Sequence, residues 1–339
     1  MMKIALDAMG SDRHPRPDVE GGLAAAREYG VEVLLVGNES ALGPLLDELR
    51  PGAAPVHILH APDVLTMEDK GLALALKAKR KEARNSMAVG IDLVRSGEAQ
   101  AFVTAGNTGA AAAVAYFRMG TLPGVERPAL APVFPTKRGS CVVLDIGANP
   151  DCKPENLVQF AIMGVIYAER VRGVPQPRVG LLSNGEEAGK GNQLIKDTYP
   201  LLAASGLNFV GNLEPKELIA GEADVVVTDG FSGNILLKSS EAVAKLILEL
   251  MRERIQAAPP WVKLGGLLVK PTLGGIRKML DPTEEGAAPL LGVDGLVFIG
   301  HGRSDAYAIK NAVRVARLAI EAGVLEALRR GIAAAASAA

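Results

Sequence analysis

Short apolar runs that alternate with helical stretches along most of the chain do most to constrain its fold. Lys3–Asp7, Glu32–Val36, Val56–His60, 101–105, Ser140–Asp145, Arg178–Leu182, Asn208–Gly211, Ala223–Thr228 and Leu296–Ile299 read as strands. Between them, helices are expected near Asp18–Tyr29, Ala41–Leu49, Glu68–Lys79, Ser86–Ser96, 108–118, Leu157–Val171, Gln193–Ala204, Ile235–Gln256 and Ala306–Leu328. Such alternation is the pattern of a mostly parallel sheet covered on both faces, an α/β/α sandwich. With 48% hydrophobic but only 4% aromatic residues, the core must be built from Ala, Val, Leu and Ile, which suits helices packed closely on a sheet. No linker-like stretch or internal repeat breaks the pattern. We therefore expect a single domain over 1–330, a helical arm inserted at 235–285, and a disordered alanine-rich tail at 331–339.

Polar and glycine residues collect where the strands end. These junctions are Asp7 to Asp12, Gly106 to Gly109, Gly147 to Asn149, Asn184 to Asn192, Asp229 to Asn234 and Gly300 to Asp305. In open parallel sheets, ligands bind outside the carboxyl ends of the strands. Gathered on one rim, these junctions would form a polar, glycine-rich cleft. At Ala105-Gly106-Asn107-Thr108-Gly109 a strand passes into an alanine-rich helix. Unpartnered first-turn N–H groups and the helix dipole could hold a phosphate or a developing oxyanion there. The plainer alternative is a tight turn with Asn107 as the helix N-cap.

Several standard motifs are missing. The first strand lacks Gly-x-Gly-x-x-Gly, and there is no Gly-x-Ser-x-Gly elbow. Gly185–Lys190 has the wrong spacing for a P-loop, with Gly191 where Ser or Thr belongs. No His, Cys and carboxylate cluster has metal-ligand spacing, and His57 and His60 are a poor pair on a strand. Nothing in the sequence near Cys152 would activate it as a nucleophile. Lys190, between Gly189 and Gly191, is either a solvated loop lysine or an anion partner in the cleft. His301, between Gly300 and Gly302, has the same two readings, with acid–base work as the functional one.

A formal net charge of −1 argues against a nucleic-acid-binding field. Two cysteines, Cys141 and Cys152, and no secretory pattern at the N-terminus suggest a reduced cytoplasmic setting. The run Lys77, Lys79, Arg80, Lys81 and Arg84 is a solvated face or a surface for an acidic partner. The stretch 258–280 carries Lys263, Lys270, Arg277, Lys278 and the only tryptophan, Trp261, without an acidic residue. It suits an anionic membrane surface, an acidic protein partner or a dimer contact.

Taken together, Leu6-Asp7-Ala8-Met9-Gly10, Ala105-Gly106-Asn107-Thr108-Gly109-Ala110, Arg127-Pro128-Ala129-Leu130, Leu144-Asp145-Ile146-Gly147-Ala148-Asn149, Gly185-Glu186-Glu187 with Lys190-Gly191-Asn192, Asp229-Gly230-Phe231-Ser232-Gly233-Asn234, and His301-Gly302 before Ser304-Asp305-Ala306 resemble the bacterial phosphate acyltransferases of phospholipid synthesis. The resemblance keeps motif order from residue 3 to about 320. Ser11 stands where a glycine is more usual, and Ser183-Asn184 replaces the usual Asn-Ile.

The resemblance implies a fold similar to phosphate acetyltransferases and to isocitrate/isopropylmalate dehydrogenase-like enzymes. It also implies transfer of a long-chain acyl group from acyl carrier protein to inorganic phosphate, without a cofactor or metal. The implied partners are acyl carrier protein, a second copy of the chain, an anionic membrane surface and a membrane glycerol-3-phosphate acyltransferase, with no nucleic acid. The implied location is the cytoplasm, peripherally on the membrane. The missing motifs agree with this chemistry. Phosphate already carries a nucleophilic oxygen and the thiol leaving group is a modest base, so positioning and oxyanion stabilisation remain.

On this reading Lys190, Asn107, His301 and Asp229 are the catalytic candidates. Asp7, Gly106, Thr108, Gly109, Asn149, Gly233 and Asn234 are the substrate-binding ones. A short-chain, coenzyme A-dependent phosphate acetyltransferase and a non-catalytic membrane-docking scaffold are the rival readings.

Overall fold

A computed structural model describes residues 1–49, 52–66, 68–69, 78–80 and 82–338. In chain order the elements begin with β1 (Lys3–Asp7), α1 (Arg16–Tyr29), β2 (Glu32–Gly37), α2 (Glu39–Leu49), β3 (Val56–His60), α3 (Ser86–Ser96), β4 (Ala101–Thr104) and α4 (Thr108–Met119). There follow β5 (Ala129–Leu130), β6 (Val133–Thr136), β7 (Gly139–Leu144), α5 (Pro154–Arg172), β8 (Val179–Leu182), α6 (Gln193–Ala204), β9 (Phe209–Leu213), α7 (Pro215–Ala220) and β10 (Val225–Val227). The chain closes with α8 (Gly230–Ala257), α9 (Pro260–Met279), a single 3-10 turn at Pro282–Glu284, β11 (Ala287–Leu291), β12 (Val297–Gly300), α10 (Ala306–Glu321) and α11 (Val324–Ala338). The helix expected over Glu68–Lys79 falls largely outside the described residues, as do Lys77 and Lys81 of the basic run.

The strands form two sheets rather than one. A seven-stranded sheet runs β3-β2-β1-β4-β12-β11-β5, and a five-stranded sheet runs β6-β7-β10-β8-β9. The centre of each is parallel: Leu6 pairs with Val103 and Phe102 with Val297 in the first, Val225 with Val142 and Val179 in the second. The antiparallel strands β5, β6 and β11 were not expected from sequence. They are short, and Pro135 and Pro289 interrupt their apolar pattern. Proline reads as a turn because it cannot donate to a ladder, and it is tolerated mainly at sheet margins.

Burial follows composition. All of β4 and β10 is buried, and one continuous core runs from Leu6, Val103 and Phe298 of the first sheet to Leu144, Val179 and Val225 of the second. Phe160 and Tyr167 of α5 are fully buried in it. The expected C-terminal helix is two helices, parted at Gly323, which adopts a φ of 61°. The expected disordered tail is instead helical through Ala338. Its run of alanines has the highest helix propensity of any residue, and Ile332 is buried to anchor it. The arm is a helical hairpin, α8 and α9, and it starts at Gly230, slightly before the expected boundary.

Candidate active site

Five strand ends line a cleft, two from the larger sheet and three from the smaller. Those of β4 and β12 come from the larger sheet, and those of β7, β8 and β10 from the smaller. The cleft has a volume of about 2010 Å³. Its polar wall includes Thr108, Gly147, Asn192, Asp229, Asn234 and His301, and it continues along the arm past Ile247, Met251, Ile276 and Met279.

The β1 end does not line the cleft; it supports the β4 end from below. Asp7 is fully buried, accepting the Thr104 hydroxyl at 2.8 Å and the Met9 N–H at 3.1 Å. Thr104 Oγ1 in turn accepts the Gly106 N–H at 3.0 Å. Gly10 lies so close that a methyl group there would sit 2.9 Å from Asp7 Oδ2, Thr104 Oγ1 and Gly106 N. Burial raises the Asp7 carboxyl above its ordinary range, against the hydrogen bonds that lower it.

Beside it, Ser11 Oγ donates to Asp18 Oδ2 at 2.6 Å, and burial pushes Asp18 up to about 7. Because the folded value exceeds the unfolded one, the native state holds the extra proton between them. Stability from this group is therefore complete below about 4 and is lost as pH rises toward about 7. Asp18→Asn is expected to raise the melting temperature at and above neutral pH and to flatten its fall across that window. Thermal unfolding against pH checks this; an unchanged slope would remove Asp18 as its source.

Most polar residues at the strand ends cap helices. Asn107 Oδ1 accepts the Ala110 N–H at 3.0 Å, and its amide donates to the carbonyls of Thr66 and Asp69 at 3.2 and 3.1 Å. Asp229 accepts the Ser232 N–H and hydroxyl, both at 2.8 Å. Asn192 caps α6 through the Ile195 N–H, and Asp305 caps α10 through the Ala308 N–H. Capping accounts for the residue type at both positions: each holds a helix N-terminus beside the cleft. Asn107→Ala is expected to cost about 1–2 kcal/mol, since it removes a cap and two tethers together. Chemical denaturation measures it, and an unchanged midpoint would refute the tether.

Asp145, at the end of β7, holds its own turn and ties it to β5 of the larger sheet. Its buried carboxylate accepts the N–H groups of Leu130 (2.9 Å), Ala148 (3.2 Å) and Asn149 (2.6 Å) and the Asn149 amide (3.0 Å). Burial raises it while these donors hold it down. Asn149 also donates to the Pro128 carbonyl at 2.6 Å. At Gly233 a methyl group would sit 2.0 Å from the Asp145 carbonyl oxygen, so α8 starts in backbone contact with this turn.

Four of the expected residues line the cleft: Thr108, Asn234, His301 and Asp229. Asp7, Gly106, Asn107, Asn149 and Gly233 form the layer behind it. Gly109 and Lys190 are exposed beside it, Lys190 on the same loop as the lining residues Asn184 and Gly191. The ammonium of Lys190 and the side chains of Thr108 and Asn234 have no protein hydrogen bond among the described residues. The N-terminus of α4 thus stands with two uncommitted polar side chains and a nearby cation, whereas the Gly230 and Ser232 N–H groups of α8 are taken by the Asn149 carbonyl and Asp229.

His301 approaches Glu241 of the arm at 3.7 Å. Partial withdrawal from water holds its imidazole below the usual value, helped by Arg303 and Lys238 and opposed by Glu241. The acidic trio Glu186, Glu214 and Glu217 is not a vacant metal site, because Lys216 Nζ sits on all three at 3.1, 3.0 and 3.3 Å.

A family model described as "Fatty acid synthesis protein" matches residues 2–327. A "Phosphate acyltransferase" of Thermus thermophilus is 48% identical over 334 residues, covering 98% of this chain and 99% of that protein. One from Pelotomaculum thermopropionicum is 46% identical over 332 residues, with 98% and 95% covered. The chain belongs to the bacterial phosphate acyltransferase family. It is therefore an acyltransferase. Among solved structures it is similar to an EutD phosphotransacetylase from Staphylococcus aureus, with TM-score 0.59, 16% identity and 94% of each chain covered. It is also similar to a putative 4-hydroxythreonine-4-phosphate dehydrogenase from Salmonella typhimurium, with TM-score 0.54, 13% identity, and 94% and 99% covered. These bear on the fold alone: the chain has an α/β fold similar to that of a phosphotransacetylase.

Proposed function

We propose that this phosphate acyltransferase moves a long-chain fatty acyl group from acyl carrier protein to inorganic phosphate, releasing acyl phosphate for phospholipid synthesis. The observation that carries the reading is the continuity of the cleft. A polar rim of helix N-termini and uncommitted side chains opens into a trough lined by Ile247, Met251, Ile276 and Met279. An acetyl group has no use for such a trough. Each methylene it buries is worth about 0.8 kcal/mol.

In this reading the phosphate oxygen attacks the thioester carbonyl carbon, a C–O bond forms and the C–S bond breaks. The N–H groups at the start of α4, with Thr108 and Asn234, hold the phosphate and the oxyanion. Lys190 adds positive charge from the adjoining loop. His301 gives its proton to the departing thiolate. No strong general base is called for, because phosphate at neutral pH already presents an ionised oxygen.

The product is a reactive mixed anhydride, so a membrane glycerol-3-phosphate acyltransferase is the proposed consumer. The apolar residues exposed on the arm, including Trp261 at 73% and Leu268 at 76%, support a homodimer and peripheral contact with an anionic membrane. Among the described residues, no helix is long and apolar enough to cross a membrane.

Phosphate-dependent thiol release from palmitoyl carrier protein and from acetyl-coenzyme A tests the donor. We expect kcat/KM to favour the palmitoyl carrier by at least about 10²-fold, the scale of a few buried methylenes. Equal rates, or a preference for acetyl-coenzyme A, would overturn the long-chain reading.

A further inference from the structure

Glu241 has no role in the reading above, yet it is the acidic group of the arm that reaches the rim. It lies on α8, well past the helix start. One carboxylate oxygen, Oε1, faces His301 Nε2 at 3.7 Å, and the other, Oε2, accepts from Arg303 Nη2 at 3.3 Å. Its side chain is 27% exposed, against 49% for His301 and 66% for Arg303. The carboxylate is thus the most enclosed member of the trio, and all three residues line the cleft. The His301 loop is held from its other side too, where the Asp12 N–H donates to the Gly302 carbonyl at 2.7 Å.

We propose that Glu241 is the positioning residue for His301, so that the helical arm sets the placement and the charge of the proton donor at the rim. The inference rests on the proton-donor reading of His301 given above. With Nε2 turned to the carboxylate, Nδ1 has no protein hydrogen bond among the described residues and is left for the leaving thiolate. The charged groups facing the ring are Glu241 and Lys238 from the arm and Arg303 from its own loop. Glu241 alone among them favours the imidazolium; burial, Lys238 and Arg303 all disfavour it. An arm that moves away from the rim would therefore take the donor's proton with it. Acyl transfer would proceed only with the arm seated against the rim, where it also walls the acyl trough.

The test titrates the His301 imidazole by NMR in the full-length protein, with the His301→Gln variant identifying its resonance among the four histidines. In Glu241→Gln the midpoint moves to lower pH. In Arg303→Met, which removes an opposing charge and frees the carboxylate, it moves to higher pH. The high-pH limb of kcat shifts in the same two directions. Above neutrality the Glu241→Gln kcat falls about tenfold, a fraction of what a general acid contributes. KM for phosphate stays within about twofold of wild type, the pattern of a lost transition-state interaction. A purely structural Glu241 would lower activity at every pH and leave the limb in place.

Unmoved imidazole midpoints in both variants would overturn the proposal while leaving acyl transfer to phosphate intact. Midpoints that move without the kcat limb would overturn it as well, by removing His301 as the donor. Absence of acyl phosphate formation in the wild-type protein would instead refute the underlying function.

Discussion

Replacing Gly233 with alanine is expected to destabilise the protein by about 3 kcal/mol or more and to abolish phosphate-dependent transfer in whatever remains folded. The added methyl would sit 2.0 Å from the Asp145 carbonyl oxygen and 3.0 Å from Thr228 Cγ2. The first neighbour is backbone, so no rotamer change relieves the clash. Either α8 lifts away from the second sheet or the 145–149 turn yields. The turn is held by the Asp145 carboxylate, which accepts four N–H donors, so it resists. Lifting α8 would withdraw Asn234 and the helix N-terminus from the cleft and shift Glu241 from His301. Gly230 offers no slack, since a methyl there would lie 2.7 Å from both the Asn149 carbonyl oxygen and Asp145 Oδ2. Denaturation midpoints and transfer rates measured on one preparation check the prediction. A fully stable, fully active Gly233→Ala protein would mean that the contact between α8 and the 145–149 turn does not shape the site.

Lys190→Ala is expected to do the reverse. Lys190 is exposed and its ammonium has no protein partner among the described residues, so its removal should leave the melting temperature unchanged. Transfer should nonetheless fall by about 10²-fold in kcat/KM, the usual loss when one group stabilising developing negative charge is deleted. The lysine stands outside the cleft wall, while Gly191 and Asn192 on the same loop form part of it. A flexible four-carbon stem can bring the charge to a bound anion without a change of fold. Steady-state rates with phosphate varied, beside a thermal melt, measure both halves. A near-normal rate in a folded Lys190→Ala protein would remove Lys190 from the mechanism and leave the α4 N-terminus, Thr108 and Asn234 to hold the anion.

The parallel strands and their glycine-rich ends were legible because continuous apolar runs and helix caps are local signals. The division into two sheets was not. It depends on β5, β6 and β11, which are short and, in β6 and β11, carry a proline that local reading takes for a turn. Most of the junctions do line one cleft, but the roles within them are blurred by chemistry that two jobs share. An asparagine or aspartate at the end of a strand can cap a helix or meet a substrate, and Asn107 and Asp229 do the first. The pairings of Asp145 and Glu241 are not legible in the sequence because of their range. Asp145 serves backbone groups up to 15 residues away, and Glu241 meets Arg303 across 62 residues of chain. Pairings of that range are fixed by tertiary packing, and no spacing rule within one sequence exposes them.

The central claim is the identity of the bond that forms. The most direct measurement follows palmitoyl carrier protein and inorganic phosphate by phosphorus NMR, with mass spectrometry of the products. The account predicts palmitoyl phosphate appearing in step with free carrier thiol, and no thiol release when phosphate is left out. Free palmitate as the first product, or thiol release that ignores phosphate, would contradict it.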